Sequence, residues 1–209
     1  VTRRATRADG VFINCPFDAD YLPLFEVIVF TVAACGFTPR CALEESDGGD
    51  VRIDKILRLL RACRYGIHDI SRVELDADRN LPRFNMPFEL GLDIGCRKFG
   101  GRACARKRIL ILDRERFRYQ TFLSDIAGQD IRAHQGSVDI TVTLIRHWLR
   151  TTSRRTSIPG DVFIRTEFSG FAAALPDMCT AGHLNRDDLS YADLLGFVQD
   201  WLEDAVRDP

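Results

Sequence analysis

Glu89 is the side chain whose setting first suggests chemistry. It stands in Asn85-Met86-Pro87-Phe88-Glu89-Leu90-Gly91, where Pro87 marks the opening of a helix over residues 88–96. A glutamate in a first helical turn feels the partial positive charge of unpaired backbone N–H groups, which keeps it ionised. An ionised carboxylate suits a nucleophile, or a group that stabilises a developing cation. Helix physics favours Glu there without any function, so its neighbours must decide. Phe88 and Leu92 are placed to anchor the helix in the core. Gly91 and Gly95 are spaced to let its backbone approach a sheet.

Three other polar clusters follow apolar runs. Asn14-Cys15-Pro16-Phe17-Asp18 comes directly after residues 11–13, and Asp69 and Ser71 come at the end of residues 65–70. Arg52 begins a helix with Asp54 and Lys55, where an arginine meets a phosphate, pairs with a loop acid, or is simply exposed. Several chemistries are excluded. The chain has no G-x-G-x-x-G after its first strand and no G-x-x-x-x-G-K-[ST], so neither a standard dinucleotide fingerprint nor a P-loop is present. It has no G-x-S-x-G elbow. Asn14 stands where a receiver domain needs an acid, and Cys15 reads as a buried strand-end thiol.

Positioning these residues is the task of alternating elements. Strands are expected at 11–13, 38–43, 65–70, 108–112 and 130–134, and helices at 22–35, 51–64, 88–96 and 137–149. Strand-helix alternation implies a parallel sheet covered on both faces. Five strands suggest a flavodoxin-like doubly wound sheet in the order 2-1-3-4-5. Such a sheet gathers the loops at its carboxyl edge and binds ligands at the switch point. Residues 22–35 are apolar almost all round, which reads as a helix buried in the core. Residues 1–150 form this α/β domain. Residues 151–160 read as a polar linker, and 163–179 and 189–206 as helices of an appendage packed on the domain.

Composition narrows the setting. Of 209 residues, 45% are hydrophobic and 28% charged, as in a globular protein with a full core. The formal net charge of -1 gives no basis for a nucleic-acid partner. Residues 97–108 hold six Lys/Arg and no acid, and read as a solvated basic loop. The seven cysteines lack metal-like spacing and read as free thiols of a cytoplasmic protein. The charged start, Val1-Thr2-Arg3-Arg4, has no apolar signal core behind it, and no run is long enough to span a bilayer.

The run Ile67-His68-Asp69-Ile70-Ser71, then a loop, then Asn85-Met86-Pro87-Phe88-Glu89-Leu90-Gly91-Leu92-Asp93-Ile94-Gly95, resembles nucleoside 2-deoxyribosyltransferases and the related bacterial TIR-like domains. In that group a strand ending Asp-x-Ser or Asp-x-Thr precedes Asn-x-x-(Phe/Tyr)-Glu-Leu-Gly. The element order matches over residues 11–148, and the motif is specific over 67–95. The resemblance implies N-glycosidic cleavage or transfer on a nucleoside, nucleotide or NAD. It gives Glu89 the role of attacking or stabilising the anomeric carbon, and Asp69 that of orienting the sugar or assisting the base. Phe17 would stack on a ring, and Asn14, Pro16, Asp18, Arg52, Ser71 and Asn85 would complete the substrate site. No metal or cofactor is required, since NAD or a nucleotide enters as substrate. The alternative is a non-catalytic TIR-like module that binds a nucleotide or self-assembles in bacterial antiphage defence. A small-molecule partner, no membrane, and a homodimer or higher homo-oligomer are expected. The charged loop 72–83, the basic segment 97–102 and the C-terminal appendage depart from the family pattern.

Overall fold

The structure is a computed structural model that describes residues 7–44, 47–75 and 80–207. Strands β1 (Gly10–Asn14), β2 (Thr38–Cys41), β3 (Tyr65–Asp69), β4 (Arg108–Asp113) and β5 (Ile131–Ala133) form one parallel sheet in the order β2-β1-β3-β4-β5. This is the flavodoxin-like arrangement that the alternating pattern predicts. The strand order reverses between β1 and β3, and there Asn14 pairs in register with His68. The sheet is buried on both faces, and β1 shows the period of two. Val11 and Ile13 join the core under α1 (Leu22–Ala34) and α4 (Val138–Ser153), while Phe12 packs on α2 (Arg52–Ala62) at the other face. Helix α3 (Asn85–Phe99) lies beside α2 on that second face.

Helix α1 is apolar all round because both its sides are covered. The sheet takes one side, and α5 (Asp161–Ala181) and α6 (Tyr191–Arg207) form an outer layer on the other. Phe30 of α1 lies 5.4 Å from Phe168 and 5.3 Å from Phe171. Polar contacts fix the layer as well: Tyr191 O–H donates to the Pro39 carbonyl at 2.7 Å, and Arg155 pairs with Asp9. The appendage therefore gives the apolar first helix a cover within its own chain. Among the described residues, no helix is long and apolar enough to cross a membrane.

Several local expectations are corrected. Helix α3 opens at Asn85, so Pro87 sits at its third residue, inside the first turn, where a missing N–H breaks no intrahelical bond. Glu89 is consequently in the second turn, beyond the strongest field of the free N–H groups. Phe88 is 57% exposed and does not anchor the helix; Leu90 does, at 1%. Outside the local backbone of α3, no atom lies within 4 Å of where a Cβ would stand on Gly91 or Gly95, so neither mediates a close approach to the sheet. The basic run is not wholly solvated either, because Lys107 is fully buried.

The ends of elements moved by a few residues, notably α4, which runs on to Ser153 and is capped at its start by Ser137 Oγ accepting from Ile140 N–H. In the charged loop after β3, Leu75 and Pro82 form an isolated antiparallel bridge. The readings of residues 1–4, of 45–46 in the acidic loop and of 76–79 in the charged loop fall outside the described residues.

Candidate active site

The loop after β1 and the first turns of α3 enclose a cavity of about 420 Å³ at the carboxyl edge of the sheet. Its position is the topological switch point, where the crevice of a doubly wound sheet opens. Asn14, Pro16, Phe17 and Asp18 come to it from the β1 loop, Arg52 from the start of α2, and Asn85 and Glu89 from α3. The structure thus brings together seven residues that the sequence singled out. Cys15, Arg72, Arg83 and Met86 line the same cavity and were not among the candidates. Arginines in loops carry no sequence signature of what they face.

Glu89 is 5% exposed, yet its carboxyl accepts no hydrogen bond from any described residue. Burial pushes its pKa up from the ordinary carboxylate range to about 7, and the nearby Arg52 guanidinium pulls only weakly the other way. The expectation of a carboxylate held ionised by the helix terminus is therefore reversed. Desolvation outweighs the dipole for a group in the second turn. Arg52 is exposed and does not form an ion pair that would seal Glu89. Arg72 is held over the cavity by Asp18 and Asp20, each at 3.2 Å. Cys15 is 2% exposed, and burial, then the Asp69 charge, lift its thiol well above its usual pKa. It is no thiolate nucleophile at neutral pH.

The floor of the cavity is supported by a buried polar chain. Asn14 donates one amide proton to the Met86 carbonyl at 2.9 Å and the other to His68 Nδ1 at 3.0 Å. The Met86 acceptor fixes which amide atom is nitrogen. His68 Nδ1 is then an acceptor, so the ring proton is on Nε2, 3.0 Å from Asp93 Oδ2. Asp93 Oδ1 lies 3.0 Å from Lys107 Nζ, which donates to the carbonyls of Leu60 and Cys63 at 2.7 and 2.8 Å. Lys107 so caps the C-terminus of α2 from within the core. Burial alone would raise the Asp93 carboxyl, but His68 and Lys107 outweigh it and hold its pKa below the ordinary value. Space for this chain depends on Gly66, where an added Cβ would overlap Asp93 Oδ2 and stand 2.9 Å from His68 Nε2.

Asp69 does not line the cavity with Glu89. It is 1% exposed and accepts from Tyr21 O–H at 2.6 Å and from Ser71 N–H at 2.8 Å, with His134 Nε2 3.0 Å away. His134 Nδ1 accepts from Gly136 N–H, which places the ring proton toward Asp69. Burial opposes the Asp69 charge, but these donors prevail and its pKa is lowered. Asp69 is a junction of β3, α1 and the loop after β5. Ser71 borders a neighbouring cavity with His134 and Arg114, and shares only Arg72 with the cavity of Glu89. Strand-end position placed Asp69 and Ser71 on the right edge of the sheet; which side of that edge they face was not encoded in spacing.

All seven cysteines are free thiols. Among the described residues, no group of three or more His, Cys, Asp or Glu side chains is arranged to hold a metal ion. Comparison of the chain with family models, curated proteins and solved structures finds no match.

Proposed function

We propose that the protein cleaves or transfers the N-glycosidic bond of a nucleoside or nucleotide, NAD included, with Glu89 acting at the anomeric carbon. The observation that carries this reading is a buried carboxyl, open to a cavity, that no described residue hydrogen-bonds. A carboxylate so placed interacts weakly with a neutral ground state. It interacts strongly with the positive charge that grows on the anomeric carbon as the base leaves, which is the differential binding that catalysis requires. In hydrolysis the water oxygen bonds to the anomeric carbon, the C–N bond breaks, and its electron pair and a proton leave with the base. In transfer a second base replaces water.

The other groups fit this role. Arg52 brings an exposed guanidinium to the rim, which suits a phosphorylated substrate, and Asn85 offers an amide to a sugar hydroxyl. Phe17, 38% exposed, presents a ring for stacking. Asp69 acts as a positioning residue, since it holds the Ser71 backbone next to Arg72. Asp18 is the second carboxyl that lines the cavity, paired with Arg72.

The test is incubation with a panel of nucleosides, deoxynucleosides, their 5'-phosphates and NAD, followed by chromatography for released base. Release by the native protein and a loss of at least ~100-fold in Glu89→Gln are expected. Nucleotide binding with no base release from any substrate would overturn the reading and leave a binding module.

A further inference from the structure

A second cavity, about 430 Å³, lies beside the candidate site, and the outer helical layer builds its far wall. Phe17 and Asp18 line both cavities, which adjoin at these two residues. Beyond Phe17 the lining is aromatic and aliphatic. Phe17 meets Phe25 edge-on at 5.3 Å, and Phe25 lies 6.1 Å from Tyr191, with Leu194 beside them. The Tyr191 hydroxyl is committed to the Pro39 carbonyl, so its ring offers carbon surface to the cavity.

Polar groups interrupt this lining: Asp18, Asp187 and Ser190, and a charge pair set against the apolar wall. Glu26, 6% exposed, faces the cavity and is ion-paired with Arg186 from the segment before α6. With Arg186 half-buried, a pair of this kind contributes little net stability. It does set a hydrogen-bond acceptor and several donors side by side against apolar walls. A mostly apolar pocket with a few convergent polar groups is the usual form of a small-molecule site.

We propose that this cavity takes the base of the substrate: a flat nucleobase stacked on Phe17 and meeting Phe25 at its edge, its polar edge met by Glu26 and Arg186, with the sugar over Glu89. The inference rests on the N-glycosidic reading for what is attached to that base. It makes the outer layer, which lies outside the motif-bearing residues 11–148, a determinant of base preference through Arg186. The apolar rings supply stacking common to every base, and the carboxylate-guanidinium pair discriminates among edges.

The experiment measures binding of free adenine, hypoxanthine, cytosine, uracil and thymine to the full chain by ligand-observed NMR titration. Three proteins are compared: native, Glu89→Gln and Leu43→Trp. Leu43 lines the second cavity and is 46% exposed, so a tryptophan there fills the cavity from its rim without entering the core. At least one base is expected to bind, with its Kd raised about tenfold or more by Leu43→Trp and changed less than about twofold by Glu89→Gln. Binding of no base, binding indifferent to Leu43→Trp, or binding lost in Glu89→Gln would each overturn the proposal. If bases bind as expected and no substrate of the panel releases one, the base pocket stands and the N-glycosidic reading falls.

Discussion

Glu89 carries two opposed free-energy terms that an experiment can separate. Its carboxyl is neutral below the unfolded-state value and becomes charged with difficulty in the fold, where its pKa is about 7. The unfolded chain gives up this proton near 4.5. Between those values the folded protein binds more protons than the unfolded one, so stability from this group falls as pH rises from about 4.5 to 7 and stays low above. Removing the charge with Glu89→Gln should therefore stabilise the protein at pH 8, by about 3 kcal/mol on the size of the shift, and leave it nearly unchanged at pH 4. Thermal unfolding at the two pH values checks this; equal effects at both would mean that the carboxyl is solvated. The same ionisation governs catalysis. With the carboxylate as the active form, kcat/KM should fall about tenfold per unit below a pKa near 7 and level off above it. A profile that falls above pH 7 would instead make Glu89 a proton donor.

Elements are held in register at the site by the chain from Asn14 to Lys107. It joins β1, β3, α3, the start of β4 and the C-terminus of α2 without reaching solvent. Lys107→Met would leave the Asp93 charge buried without its cation and the Leu60 and Cys63 carbonyls without this donor, a loss of about 3–5 kcal/mol. Urea unfolding should show a lower midpoint at unchanged slope, and a change within experimental error would refute the capping role. Gly66→Ala attacks the same chain by volume rather than charge. Its methyl must displace Asp93 or His68, so a loss of about 1–3 kcal/mol is expected by the same assay. Neither change touches the cavity, so any effect on base release would report how far α3, and Glu89 with it, has shifted.

The whole molecule is three layers deep on the α1 side, and the outer layer is part of one core. Phe171 is fully buried against Phe30, Phe168 and Trp201. Phe171→Ala should cost about 3–5 kcal/mol, as a large-to-small change in the interior of a single domain does. A chain ending at Ser153 would uncover α1 and should aggregate instead of folding, which circular dichroism and size-exclusion chromatography would show. A soluble, cooperative fragment would instead make α5 and α6 a separable unit.

Much was legible from local pattern. Periods of two and 3.6 located the five strands and the helices, and alternation of the two set the parallel sheet order, because few topologies satisfy right-handed crossovers with short connections. The polar-aromatic turn from Asn14 to Asp18 and the motif around Glu89 were placed together for the same reason: both follow elements that end at one edge. What periodicity does not contain is the environment of a side chain once helices pack. The start of α3 moved Glu89 by a turn, and burial then turned an expected carboxylate into a group that titrates near 7. His68, Asp93 and Lys107 sit in unrelated segments, and only their convergence makes Lys107 a cap instead of a surface charge. Asp69 faces Tyr21 and His134, which come from the start of α1 and the loop after β5, far from it in the chain. Sequence by itself determined the scaffold and the edge on which chemistry could gather. Tertiary structure decided which of those residues share a cavity, since burial and long-range pairing depend on contacts between segments far apart in the chain.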